Sequence, residues 1–209
     1  MNAHRVVFKS GDLNVEGMMD DLPGNRGVLI THPHPLYGGD MENDVVRAVA
    51  ETYAEKGYST LRFNFRGVGM SEGTHDEGVG EQEDVRAALK TLYEKGKTRI
   101  DLAGYSFGAW VNALGLESYK QAGRLIMVSP PVSFVDFRFL RQQPKIKLVV
   151  VGSRDDFASL ETIEELVPQW NPEAALRIIR GANHFYMLKL TELKSIIGEF
   201  LDQTSPDAP

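Results

Sequence analysis

Short apolar, β-branched runs alternate along this chain with longer stretches whose apolar positions recur every three or four residues. "RVVFKS" (5–10) and "LNVEGMM" (13–19) flank "GD", which predicts two strands joined by a hairpin and therefore antiparallel. "GVLITH" (27–32), "YSTLRFNF" (58–65), "RIDLAGY" (99–105), "RLIMVS" (124–129), "IKLVVVG" (146–152) and "ALRIIRG" (175–181) read as six further strands, most of them apolar throughout. Between them Val46, Val49, Ala50 and Tyr53 share one helical face, and Val85, Ala88, Leu89 and Leu92 share another. Trp110, Val111 and Leu114 mark a third helix, 158–167 a fourth that stops at Pro168, and Leu190, Leu193, Ile197 and Phe200 a closing one. Strand–helix alternation of this kind predicts crossover units and a mostly parallel sheet covered on both faces. No repeat, low-complexity segment or linker divides the chain, so one domain is expected over 1–203, with a loose polar tail, 204–209.

Composition narrows the function classes. The 209 residues carry a formal net charge of −6, which argues against a nucleic-acid binder with a basic stripe. No run of about 18 apolar residues offers a membrane span. The first ten residues have no apolar core of signal-peptide length, so the cytoplasm is the expected location. Cysteine is absent, which removes disulfides, zinc–thiolate sites and a cysteine nucleophile. The expected partner is a small molecule. Oligomeric state is not readable from the sequence.

In open α/β sheets ligands meet the loops at the carboxyl ends of strands, and the chemistry-bearing residues of this chain fall there. "GYSFG" (104–108) stands where a strand turns into a helix, with Ser106 between two glycines. A serine at so sharp a turn is expected to be strained, with its hydroxyl pushed out above the sheet edge and a helix amino terminus beside it. The bland alternative is a helix cap eased by glycines. A serine hydroxyl attacks only if a base takes its proton. Of the five histidines, His4 in the first strand and His75 in a polar loop are poorly placed, whereas His184 in "GANHF" follows the last strand. The base in turn needs a carboxylate. Asp155 in "VGSRDD" is preferred, Asp156 is read as the cap of the next helix, and Asp136 is a third candidate. The order Ser, Asp, His along the chain is the one expected of α/β-hydrolases. A histidine base works only when neutral, so activity should fall below about pH 6.5.

The loop "THPHPLYGGD" (31–40) follows the third strand. Pro33 and Pro35 have no N–H, so His34 is the first amide after the strand able to join Phe107 in stabilising an oxyanion, with Leu36 and Tyr37 behind it. A rival is a metal held by His32 and His34 with Asp40 or Glu42, but residues two apart on extended chain point to opposite sides. "NFRGVGMSEG" (64–73) lacks the lysine and spacing of a phosphate loop and is read as structural, with Arg66 paired to Glu81 or Asp84.

The motifs "HPHPLYGG", "LRFNFRGVGMSEG", "GYSFG", "VGSRDD" and "GANHF", in that order, resemble those of the α/β-hydrolase superfamily, and more narrowly a group of small capless bacterial predicted hydrolases. The resemblance covers nearly the whole chain. It implies an eight-stranded sheet with the second strand antiparallel, Ser106 as nucleophile, Asp155 as acid, His184 as base, and backbone donors at His34 and Phe107. Most members have glycine where Pro33 stands, which leaves Leu36 and Tyr37 as alternative donors. The implied reaction is hydrolysis of small carboxylic esters through an acyl-enzyme, with no metal or organic cofactor. A thioesterase, a lactone or amide hydrolase, or a non-catalytic ligand-binding module on the same fold are the alternatives. The sixteen residues "PPVSFVDFRFLRQQPK" (130–145) are too few for a cap domain, so an open site is expected. Leu36 and Tyr37 are expected at the substrate. Phe134, Phe137, Phe139 and Leu140 are read either as an apolar wall for it or as buried packing.

Overall fold

A computed structural model of the chain describes residues 3–204. Part of the tail expected to be loose, 205–209, lies outside the described residues. Eight strands form one sheet in the order β1-β2-β4-β3-β5-β6-β7-β8. They are β1 (His4–Ser10), β2 (Leu13–Asp20), β3 (Arg26–Thr31), β4 (Ser59–Phe63), β5 (Arg99–Tyr105), β6 (Ala122–Val128), β7 (Ile146–Gly152) and β8 (Ala175–Ile179). Only β2 runs against the others: it pairs antiparallel with both β1 and β4, and the remaining ladders are parallel. The expected hairpin closes at Ser10↔Leu13.

Five helices cover the sheet: α1 (Asp44–Glu55), α2 (Val79–Glu94), α3 (Phe107–Gly115), α4 (Leu160–Trp170) and α5 (Leu190–Gln203). Alternation along the strands decides which face each helix meets. Leu29, Ile100, Leu102, Leu125, Met127, Val149 and Val151 point to one face, packed with residues of α2, α3 and α4. Val28, Ile30, Ala103, Ile126, Val128, Leu148 and Val150 point to the other, under α1 and α5. Both faces are dry, which is why the central strands read as unbroken apolar runs rather than alternating ones. Caps fix where helices begin. Asn43 Oδ1 accepts from Val45 N at 3.0 Å at the head of α1, and Glu81 accepts from Gly78 N at 2.8 Å at the head of α2.

The fourth helix corrects the sequence reading. It does not stop at Pro168 but carries it in the last turn and runs to Trp170. A proline costs a helix one N–H bond, and the fully buried indole of Trp170 against Phe137 holds the turn regardless. Ser159, not Asp156, caps this helix. Among the described residues no helix is long and apolar enough to cross a membrane.

The chain leaves β3 for β4 on one side and later returns to β5 on the other. Strand order therefore reverses about β3, and the crevice beyond the carboxyl ends of β3 and β5 is where such sheets take ligands. The loop after β3 and the turn after β5 are the "HPHP" and "GYSFG" segments.

Candidate active site

Ser106 sits between β5 and α3 with φ 53° and ψ −119°, a backbone conformation that non-glycine residues rarely adopt. The flanking glycines are required by close approach. A Cβ on Gly104 would stand 2.6 Å from Ala109 N and Cα, and one on Gly108 would stand 2.5 Å from Thr31 Oγ1 and 2.6 Å from Thr31 O. The turn is thus pressed against both the helix it opens and the end of β3. Ser106 is only 6% exposed, and its hydroxyl lies against the His184 imidazole.

His184 arrives on the loop after β8 and Asp155 on the loop after β7, residues 78 and 29 apart from their respective partners along the chain. Ser106 Oγ lies 2.9 Å from His184 Nε2, and His184 Nδ1 lies 2.9 and 3.0 Å from the two oxygens of Asp155. An ionised carboxylate only accepts, so Nδ1 carries the hydrogen and Nε2 is left bare to accept from the serine O–H. Burial pushes the Asp155 carboxyl up, but hydrogen bonds from His184, Ser129 and the Ala158 amide outweigh it and hold it below the usual carboxylate value. The phenol of Tyr105 donates to His184 O at 2.9 Å, which pins the histidine loop to the strand that carries the serine.

The other two acids are elsewhere. Asp136 is exposed and paired with Arg138 at 2.9 Å. Asp156 does not provide the expected cap, because Asp155 itself takes the Phe157 and Ala158 amides at 3.0 and 2.8 Å.

The "HPHP" loop folds as a single 3-10 turn over Pro35–Tyr37. Its amides are mostly spent: Leu36 N donates to His34 Nδ1 at 3.2 Å, Tyr37 N to His34 O at 3.1 Å and Gly39 N to His34 O at 3.0 Å. The backbone N–H groups of His34 and Phe107 have no protein acceptor among the described residues. The two residues are neighbours, with ring centroids 4.8 Å apart. His32 is buried, donates from Nδ1 to Pro33 O at 2.7 Å and accepts Phe65 N at Nε2 at 3.0 Å, so both ring nitrogens are used. Desolvation pushes its pKa down to about 4. The remaining members of the metal reading are also committed, Asp40 to the Glu42 amide and Glu42 to Arg62. Arg66 pairs with Asp84 at 2.8 Å rather than with Glu81, which fits the structural reading of its loop.

Around the site Leu36, Tyr37 and Phe134 are exposed, whereas Phe137 is not a surface residue: it is buried with Leu140 in the core against Trp170. The apolar wall therefore loses Phe137 and gains Phe157, which sequence reasoning missed. Phe157 stacks on the His184 ring at 4.5 Å, and Phe134 stacks on Phe157 at 4.9 Å. The position two residues past the acid was its only signal. His75, set aside on the sequence, lies 5.0 Å from the His34 ring and 5.4 Å from that of Phe107, with Nδ1 3.0 Å from Glu81.

Residues 26–196 match the family model described as alpha/beta hydrolase domain, a span from the first parallel strand into the last helix. The chain belongs to the alpha/beta hydrolase family. This hydrolase is 35% identical to an uncharacterized protein of Rickettsia prowazekii (strain Madrid E), over 94% of this chain and 88% of the relative. Among solved structures it resembles an alpha-beta serine hydrolase homologue from Coxiella burnetii, with TM-score 0.88 and 35% identity over 96% of this chain and 98% of the other. It likewise resembles a Xanthomonas campestris protein described as an a/b serine hydrolase without lid, with TM-score 0.87 and 28% identity over 99% and 97%.

Proposed function

We propose that this hydrolase cleaves small carboxylic esters through an acyl-enzyme formed on Ser106. The observation that carries the reading is the unbroken line of hydrogen bonds from Ser106 Oγ through His184 to Asp155, at 2.9 Å per step. His184 Nε2 takes the hydroxyl proton as Oγ adds to the ester carbonyl carbon. The oxyanion that forms accepts from the His34 and Phe107 amides, neither of which has a protein acceptor among the described residues. Collapse breaks the bond to the alkoxy oxygen, which leaves with the proton from His184. Water then enters and gives a proton to Nε2 as its oxygen adds to the acyl carbon. Ser106 Oγ leaves with that proton from His184, which releases the acid and restores the resting hydroxyl and neutral imidazole. Strain at Ser106 supports a reacting role over a capping one, since the Ser106 side chain makes no cap hydrogen bond to α3.

The substrate size follows from the β6–β7 connection, which is short and partly buried, and from the lidless relative in Xanthomonas campestris. Leu36, Tyr37, Phe134 and Phe157 offer apolar surface for the substrate, Phe157 stacking on the His184 ring at 4.5 Å and Phe134 on Phe157 at 4.9 Å. A fluorophosphonate probe should label one peptide, the one containing Ser106, by mass. Ser106→Ala should lose that label and cut short-chain ester hydrolysis on the order of 10⁴-fold. A labelled residue other than 106, or an Ala variant with near-normal turnover, would refute the reading. Matched ester, thioester and amide substrates then rank the acyl classes.

A further inference from the structure

The acid at this site has a second hydroxyl behind it. Ser129, one residue past the end of β6, is fully buried, with Oγ 2.6 Å from Asp155 Oδ2 and 2.8 Å from the phenol oxygen of Tyr186. Tyr186 follows His184 by two positions and is also fully buried. Bond directions follow from hydrogen counting. The Asp155 carboxylate has no hydrogen to give, so Ser129 donates to it. Ser129 has then spent its one hydrogen and must accept from Tyr186, whose nearest alternative acceptor is Val150 O at 3.3 Å.

Backbone strain singles out the same residues independently. Among the described residues six non-glycine positions have left-handed φ, and three of them, Ser106 (53°), Ser129 (46°) and Tyr186 (53°), belong to this one hydrogen-bonded chain. Such conformations persist only where surrounding structure over-determines them. For Ser129 that is a bond from its own N–H to Val150 O at 2.8 Å.

We propose that Ser129 and Tyr186 are positioning residues of the hydrolytic site, a one-way chain in which Tyr186 donates to Ser129 and Ser129 to Asp155. The chain fixes the rotation of the carboxylate and withdraws charge from Oδ2, and so sets how tightly Asp155 grips the imidazolium that forms on His184. This rests on the serine hydrolase reading. The titratable groups facing the pair are the phenols of Tyr105 from β5 and Tyr186 from the loop after β8. Burial raises both well above the ordinary phenol range, so they stay neutral throughout the test.

The test is the rate of fluorophosphonate labelling at Ser106, followed from about pH 5 to 9. Without the Ser129 hydroxyl the carboxylate holds more charge and the imidazolium is held more tightly. Ser129→Ala should therefore move the acid limb up by about half a pH unit and lower the plateau about tenfold. Ser129→Gly, which adopts left-handed φ without strain, should do the same while staying folded. Tyr186→Phe keeps the ring and should shift the limb in the same direction by less. If the limb stays in place in both Ser129 variants, the proposal is overturned whatever happens to the plateau. A wild-type limb in Tyr186→Phe removes Tyr186 from the chain. A wild-type protein that takes no label at Ser106 sinks the hydrolase reading itself, a different outcome from labelling whose limb the variants share.

Discussion

His32 spends both ring nitrogens on backbone, one on Pro33 O and one on Phe65 N, and in doing so ties the loop after β3 to the end of β4. That arrangement requires a neutral imidazole. Its folded pKa is depressed to about 4 by burial, below the ordinary 6.5, so the unfolded chain binds the extra proton between these values. Stability from this group is complete above pH 6.5 and is lost as pH falls toward 4, by about 3 kcal/mol in all. His32→Gln keeps an acceptor for Phe65 N–H and removes the titration. Urea melts of the variant should therefore be flatter over that interval than those of wild type, and an equally steep dependence would assign it to other groups. Single-residue chemistry was unevenly legible. Ser106 and His184 stand out because each follows a strand and few histidines compete, and because, of the two glycine-flanked serines, Ser106 and Ser71, only Ser106 sits where a strand turns directly into a helix. Phe137 and Phe157 did not, since an aromatic residue in a loop carries no mark of which way it faces.

At the level of elements, the turn that carries Ser106 is a wedge between α3 and the end of β3, and the glycines make its fit possible. Gly108→Ala would press a methyl group within 2.5 Å of Thr31 Oγ1 and against two backbone carbonyls, so something rigid must move. The expected cost is about 1–3 kcal/mol in urea unfolding, with slower labelling at Ser106 as the turn shifts. Gly198 is the contrast. It lies inside α5, where an added Cβ meets only Lys56 Cε at 3.5 Å and Thr52 Cγ2 at 3.7 Å, ordinary contacts. Gly198→Ala should stabilise the protein by about 0.5–1 kcal/mol through helix propensity alone, with labelling unchanged. Opposite signs are the expected result; a neutral Gly108→Ala would mean that the turn is looser than its contacts imply. The strands were legible because a sheet buried on both faces needs continuous apolar runs. The end of α4 was not, because Pro168 is a local stop signal and Trp170 burial is a tertiary one.

Over the whole molecule, a buried ion-pair cluster and the candidate chemistry sit at opposite ends of the sheet. Asp101, near the start of β5, accepts from Arg124 Nε at 2.7 Å, from Arg124 Nη2 at 2.5 Å and from Tyr53 OH at 3.0 Å, while Arg124 also reaches Tyr58 OH at 3.1 Å. Five residues later along the same strand, roughly 16 Å away, stands Ser106. Asp101→Asn leaves a largely buried guanidinium without its counter-charge and should cost about 3–5 kcal/mol. Labelling of Ser106 well below the melting temperature should stay at the wild-type rate. A slowed reaction in a fully folded variant would show that the lower end of the sheet reaches the site after all.

The order and type of the elements, the domain's α/β class and the loops that carry chemistry were determined by the sequence itself, because periodicity, turn residues and strand ends are local properties. Only the tertiary structure decided which side chains meet. Ser106, Asp155 and His184 are brought within hydrogen-bonding distance by sheet order, and Ser129, Tyr186 and Phe157 join them through burial and strain that no short window of sequence records. Direction of a side chain and distance across a fold depend on packing of segments far apart along the chain, and packing is where local pattern stops carrying information.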